Sequence, residues 1–137
     1  MNYSLTSDNR EFVRVKETFS VEYKFIGDEP NFPDMGKLFK GTIDSISGGG
    51  MLLKGPLSDR NWIPRFIWQK ILIGVQFLLP GSDQPIAALC RVAWVEDDDK
   101  NNDKTHSDQV KFGLMFGEIS NRDHDRICDF VIHSYMK

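Results

Sequence analysis

Two arginines four residues apart, Arg10 and Arg14, lie in the stretch NREFVRV, and further along comes SISGGG at 45–50. In an extended segment Arg10, Phe12 and Arg14 share a side, and the two arginine positions stand about 13 Å apart, a span that embraces a doubly charged ligand. Arginine offers a planar fork that pairs with phosphate and stacks on flat rings. The pair on its own is a weak signal and reads as two solvated charges. Beside it, Ser45 and Ser47 alternate to one side of a strand, with Asp44 on the other. Each glycine in a regular element costs about 0.5–1 kcal/mol relative to alanine, so Gly48, Gly49 and Gly50 in succession require a physical reason. One reading is a narrow backbone whose amides and the small serine hydroxyls seat a base edge or a phosphate. The other is a turn or bulge that only curves the sheet.

The elements that must carry these residues are mostly strands. Phe19, Val21, Tyr23 and Phe25 alternate with polar residues, which predicts a half-buried strand. Residues 37–43 resume an extended pattern that runs into the glycines, and Met51 to Leu53 leads out of them. Ile71, Ile73, Val75, Phe77 and Leu79 alternate up to Pro80-Gly81. Across 86–95, Ala88, Cys90, Val92 and Trp94 are expected on one face. Val110, Phe112, Leu114 and Phe116 form the last strand. The period then lengthens: Ile127, Phe130, Val131 and Tyr135 share a helical face, Ser120 or Asn121 is placed to cap it, and Asp123 suits its first turn. Strands followed by one helix, without βαβ alternation, indicate an antiparallel barrel or sandwich with a terminal helix.

The 137 residues, 40% hydrophobic, suffice for one domain with a real core, spanning 10–137 behind a polar, mobile segment 1–9. Seventeen Lys and Arg against twenty Asp and Glu leave a net charge of −3, which disfavours a nucleic-acid polymer as partner. No secretory signal is read at the N-terminus and no apolar run is long enough to insert in a membrane, so the expected location is the cytoplasm. Cys90 and Cys128 sit in apolar patterns and are expected to be free, buried thiols. The run 97–108, DDDKNNDKTHSD, reads as a solvated hairpin loop.

The order of these features resembles a PilZ domain. The R-x-x-x-R pair, a motif of the form D/N-x-S-x-x-G, a strand ending near "LPG", the strands CRVAWV and FGLMF and a C-terminal helix follow one another over nearly the whole chain. The resemblance implies a mainly β fold, a six-stranded antiparallel barrel with a C-terminal helix, that binds the bacterial second messenger cyclic di-GMP. By position, Arg10 and Arg14 would hold the phosphates and stack on guanine, and Ser47 and Gly50 would fill the second motif, with Gly48 and Gly49 between them. Ser45 stands where that motif has Asp or Asn. A hydroxyl in place of a carboxylate forfeits on the order of 1–1.5 kcal/mol, about tenfold in affinity. Output would come from ordering residues 1–14 and altering the surface shown to a downstream protein partner. The alternative is a PilZ-like interaction module that needs no ligand.

Between the strands at Met51 and Ile71 an unexpected connection, 54–70, carries Trp62, Ile63, Phe66, Ile67 and Trp68. It is expected to plug one barrel end or pack on the terminal helix. As an exposed patch it would instead serve a partner protein or a second copy of the chain, as a homodimer. His124 and Cys128, four apart on the helix, make an incomplete metal pair, so no metal or cofactor is expected. No Walker loop, nucleophile elbow or dinucleotide fingerprint occurs, and the chain is read as a binding protein rather than an enzyme.

Overall fold

The computed structural model describes residues 14–57, 59–97 and 109–136. Its strands are β1 (Arg14–Val15), β2 (Phe19–Gly27), β3 (Leu38–Ser47), β4 (Gly50–Pro56), β5 (Ile71–Phe77), β6 (Ile86–Asp97) and β7 (Gln109–Ile119). All pair antiparallel. The order β3-β2-β5-β6-β7-β4 closes on itself through β3 and β4, so six strands form a barrel without a free edge, and β1 is a short addition to the end of β3. Helix α1 (Ile63–Ile67), preceded by a 3₁₀ turn at Arg60–Trp62, covers one region, and α2 (Asn121–Tyr135) packs against β1 and β3. Ser120 is the N-cap of α2, its hydroxyl accepting from the Asp123 amide at 3.1 Å.

The inward residues follow the alternation: Val21, Tyr23 and Phe25 from β2, Ile73 and Val75 from β5, and Cys90 and Val92 from β6 are all buried. Burial pushes the Cys90 thiol up to about 12, which keeps it protonated and inert. Cys128 is buried too, and neither cysteine is in a disulfide. Burial also pushes the Tyr23 phenol up, with a smaller contribution from the Asp34 carboxylate, and its hydroxyl donates to the Pro56 carbonyl at 2.9 Å.

Register shifts break the alternation at three places, one of them at Gly117 of β7 opposite Leu89 and Cys90, and the other two shape the outer surface. In β3 the register against β4 shifts between Ile43 and Ser45, so Asp44 is the extra residue. Ile43 and Ile46 consequently both face the core opposite Leu53 and Met51, while Ser45 lies opposite the half-buried Leu52 on the outer surface. In β6 the register shifts between Val92 and Trp94. Val92 and Val95 both turn to the core side, and Trp94, expected to face inward with Val92, is 43% exposed outside. The extra residue turns the side chains that follow it to the other face.

The connection at 54–70 is shorter than the sequence suggests, because Lys54–Pro56 belong to β4. The remainder plugs the barrel in part. Leu57 and Phe66 are fully buried, and the Phe66 ring lies 5.2 Å from Phe25, 5.7 Å from Phe112 and 5.9 Å from Phe32. Trp62 packs on the same cluster, 5.0 Å from Phe32. Trp68 does not: it is 65% exposed and contacts Arg65, whose guanidinium lies 5.8 Å from the Trp62 ring and 5.9 Å from the Trp68 ring. The two tryptophans should therefore respond differently to replacement. Trp62→Ser is expected to cost about 2 kcal/mol in urea unfolding, and Trp68→Ser to stay within about 0.5 kcal/mol of wild type.

Candidate functional site

The site forms where β1 meets β3. Arg14 pairs with Ser47 and Val15 with Ile46 across these strands. From there the Arg14 side chain reaches Ser45, Nη1 donating to Oγ at 3.0 Å across a sequence separation of 31. The bulge at Asp44 makes this contact attainable, since unbroken alternation would put Ser45 on the core face with Ile43. Asp44 does not compete for the arginine, for its carboxylate pairs with Lys54 at 3.7 Å. Ser45 and Ser47 are 6% and 3% exposed, so the arginine head and the two hydroxyls form a compact polar corner. Arg10, the other half of the arginine pair, lies outside the described residues, as do segment 1–9 and nearly all of the acidic run.

Ser47 and the glycines build a tight turn. Ser47 Oγ accepts from the amides of Gly49 at 3.3 Å and Gly50 at 3.2 Å, and lies 3.3 Å from the Gly50 carbonyl, to which it can donate. The two carbonyls of the turn point elsewhere: Gly48 O receives His124 Nε2 at 2.9 Å and Gly49 O receives the Phe116 amide at 3.0 Å. The Gly49 and Gly50 amides are thus engaged by Ser47, both serine hydroxyls are buried, and the exposed polar group of the corner is the Arg14 guanidinium. Gly50 has a separate reason to be glycine. A Cβ there would stand 1.9 Å from the Leu114 carbonyl oxygen and 3.2 Å from Met115 Cα, so the close approach is to the backbone of β7.

Beyond Ser45 the outer surface continues through cross-strand partners Leu52, Gly113 and Trp94. The indole lies directly over Gly113, where an added Cβ would be 2.2 Å from Nε1. Gly50, Met115 and Arg91 form the adjacent row, with Met115 47% exposed. One surface therefore offers a guanidinium, backed by buried hydroxyls, at one end, and a flat aromatic face with a second arginine further along. Trp94 and Arg91 were not identified from sequence. The available signal was the spacing of Val92 and Val95, two core residues three apart in a strand, which marks a bulge between them. His124 was read only as half of a metal pair; Cys128 Sγ is 3.8 Å from its Nε2, and among the described residues no group of three potential metal ligands occurs.

A closed antiparallel barrel, a terminal helix, and an N-terminal arginine laid on a serine and glycine turn are together the features of one class of small barrel domain. The chain belongs to the PilZ domain family, whose model matches residues 8–133. Among solved structures it is similar to the inhibitor of motility MotI/DgrA from Bacillus subtilis, with a TM-score of 0.63 at 18% identity over 93% of this chain and 51% of that one. The PilZ domain of CeSA from a cellulose-synthesising bacterium gives 0.50 at 13% identity, covering 88% and 95% of the two chains. MrkH, described as a c-di-GMP-dependent transcription regulatory factor, gives 0.50 at 16% identity over 85% and 47%. The chain spans about half the length of MotI/DgrA and MrkH. These likenesses establish the fold. No curated protein matches the chain significantly. No helix among the described residues is long and apolar enough to cross a membrane.

Proposed function

We propose that this chain is a receptor for cyclic di-GMP that acts through a protein partner and catalyses no reaction itself. The observation that carries this reading is the Arg14 to Ser45 contact at 3.0 Å, which brings the arginine motif and the first position of the serine and glycine motif into one corner on the barrel's outer surface. In this reading Arg14, with Arg10, holds phosphate oxygens through charge-assisted hydrogen bonds. Ser45 steadies the Arg14 head and Ser47 braces the turn beneath the ligand, and Gly48 to Gly50 keep the turn low enough for a flat molecule to pass. Leu52 and the Trp94 indole supply apolar surface on which a guanine can lie. Ligand bound across β1 would tether the N-terminal segment and change the surface presented to the partner.

Calorimetric titration tests the reading, with cyclic di-AMP as the control for the guanine edge. Saturable heat with cyclic di-GMP and none with the adenine analogue is expected. Absence of heat with cyclic di-GMP at high concentration would favour the second reading, a ligand-independent interaction module. The exposed Trp68 is the observation on that side.

A further inference from the structure

A turn containing successive glycines is conformationally loose, because neither residue has a Cβ to restrict its peptide planes. In this one, each of the two peptide units is held at both ends. The Gly49–Gly50 unit is fixed by the Phe116 amide on its carbonyl and by Ser47 on its N–H, a barrel strand on one side and the turn's own serine on the other. The Gly48–Gly49 unit is fixed differently: its N–H goes to Ser47 Oγ, but its carbonyl is taken by His124 Nε2, a side chain 76 residues away on α2. Because the C=O and N–H of a planar trans peptide point in opposite directions, these two bonds together select one of the two orientations this peptide can take.

The helix that supplies the histidine is well anchored. Its first turn is capped by Ser120. Arg126 reaches Ser82 Oγ at 2.9 Å and the Gln84 carbonyl in the loop between β5 and β6. The Asp123 carboxylate accepts from the Ala87 amide at 3.4 Å. His124 therefore approaches the turn from a fixed platform.

We propose that His124 is a positioning residue for the ligand site: it holds the Gly48 carbonyl on the helix side of the turn and thereby fixes Ser47 beside Arg14. The inference rests on the cyclic di-GMP reading. Without the imidazole the Gly48–Gly49 peptide is free to flip, which withdraws an N–H from Ser47 Oγ and turns a carbonyl dipole toward the side where the phosphates would lie. An anion is then met by an acceptor, and the serine loses one of the bonds that orient it. His124 touches no ligand in this scheme and acts only through the turn. The same contact couples the site to α2, so occupancy of one is felt by the other.

The test compares wild type, His124→Ala and His124→Gln by calorimetry with cyclic di-GMP and by amide hydrogen exchange at Gly49 in protein without ligand. His124→Ala is expected to bind about tenfold more weakly and to exchange the Gly49 amide faster. Glutamine, whose amide donates from the same helical position, is expected to restore affinity to within about threefold of wild type and to restore protection. A purely structural loss would lower binding and melting temperature together, without rescue by glutamine. Wild-type affinity in His124→Ala, or equal weakness in both variants, would overturn the proposal. If the wild type takes up no cyclic di-GMP, the receptor reading is what fails. The exchange data then decide the latch alone, and unchanged protection of Gly49 in His124→Ala would refute it.

Discussion

Replacing Arg14 by alanine should weaken cyclic di-GMP binding by roughly 30- to 100-fold while leaving the fold intact, a loss read directly in the calorimetric dissociation constant. The affinity effect is large because the guanidinium is both a counter-charge and a fork of donors, and its removal leaves a phosphate without its partner. The fold is spared because the side chain belongs to a strand of only two residues at the end of β3, and its resolved bond is to a hydroxyl. Arg14→Lys should recover only part of the loss: an ammonium keeps the charge, but it cannot bridge two phosphate oxygens in one plane or stack on a ring. An Arg14→Ala protein that binds as tightly as wild type would remove the β1–β3 corner from the site altogether. The polar corner is then no more than a strand-end contact.

Phe66→Ala should lower the unfolding free energy by about 3–5 kcal/mol. The ring is fully buried and touches Phe25, Phe32 and Phe112, which come from β2, the following loop and β7. Its loss opens a cavity that no single neighbour can fill, since each of those rings is itself held by others, Phe25 by Tyr23 at 5.6 Å and by Phe39 at 5.4 Å. Urea denaturation measures the effect. None of the rings that Phe66 packs on belongs to the Arg14, Ser45 and Ser47 corner, so the variant that remains folded at low temperature should bind cyclic di-GMP with nearly wild-type affinity. A loss below about 1 kcal/mol would mean that α1 is a mobile cover rather than part of the core, because a ring that leaves no cavity was never packed in one.

Most of the architecture was legible because it depends on local periodicity. The alternation at Val21, Tyr23 and Phe25 specifies a strand with one buried face wherever the chain folds, and the spacing of Ile127 and Val131 after Ser120 specifies a capped helix whose buried stripe includes both residues. The order of motifs carried the family, whose barrel and helix the structure has. Part of the candidate site was equally local: Ser47 and the glycines form a turn because a hydroxyl two and three residues before an amide can accept from it.

The remainder was decided between distant segments. Strict alternation puts Ser45 on the same face as Ile43, and Trp94 on the same face as Val92. Barrel closure instead requires the core to be filled by Ile43 with Ile46 and by Val92 with Val95, and inserting one extra residue in each strand is the way to bury both apolar pairs. The outward turn of the serine toward Arg14 and of the indole over Gly113 follows from that choice. Gly50 is small because β7 passes beside it, and His124 meets Gly48 because α2 docks against β3; neither neighbour is near in sequence. The residue pattern thus determined the strands, the helix and the chemistry available at the arginines and serines. Only the closed barrel decided which of those side chains face outward together, because facing is a property of register, and register is set by the whole set of buried side chains at once.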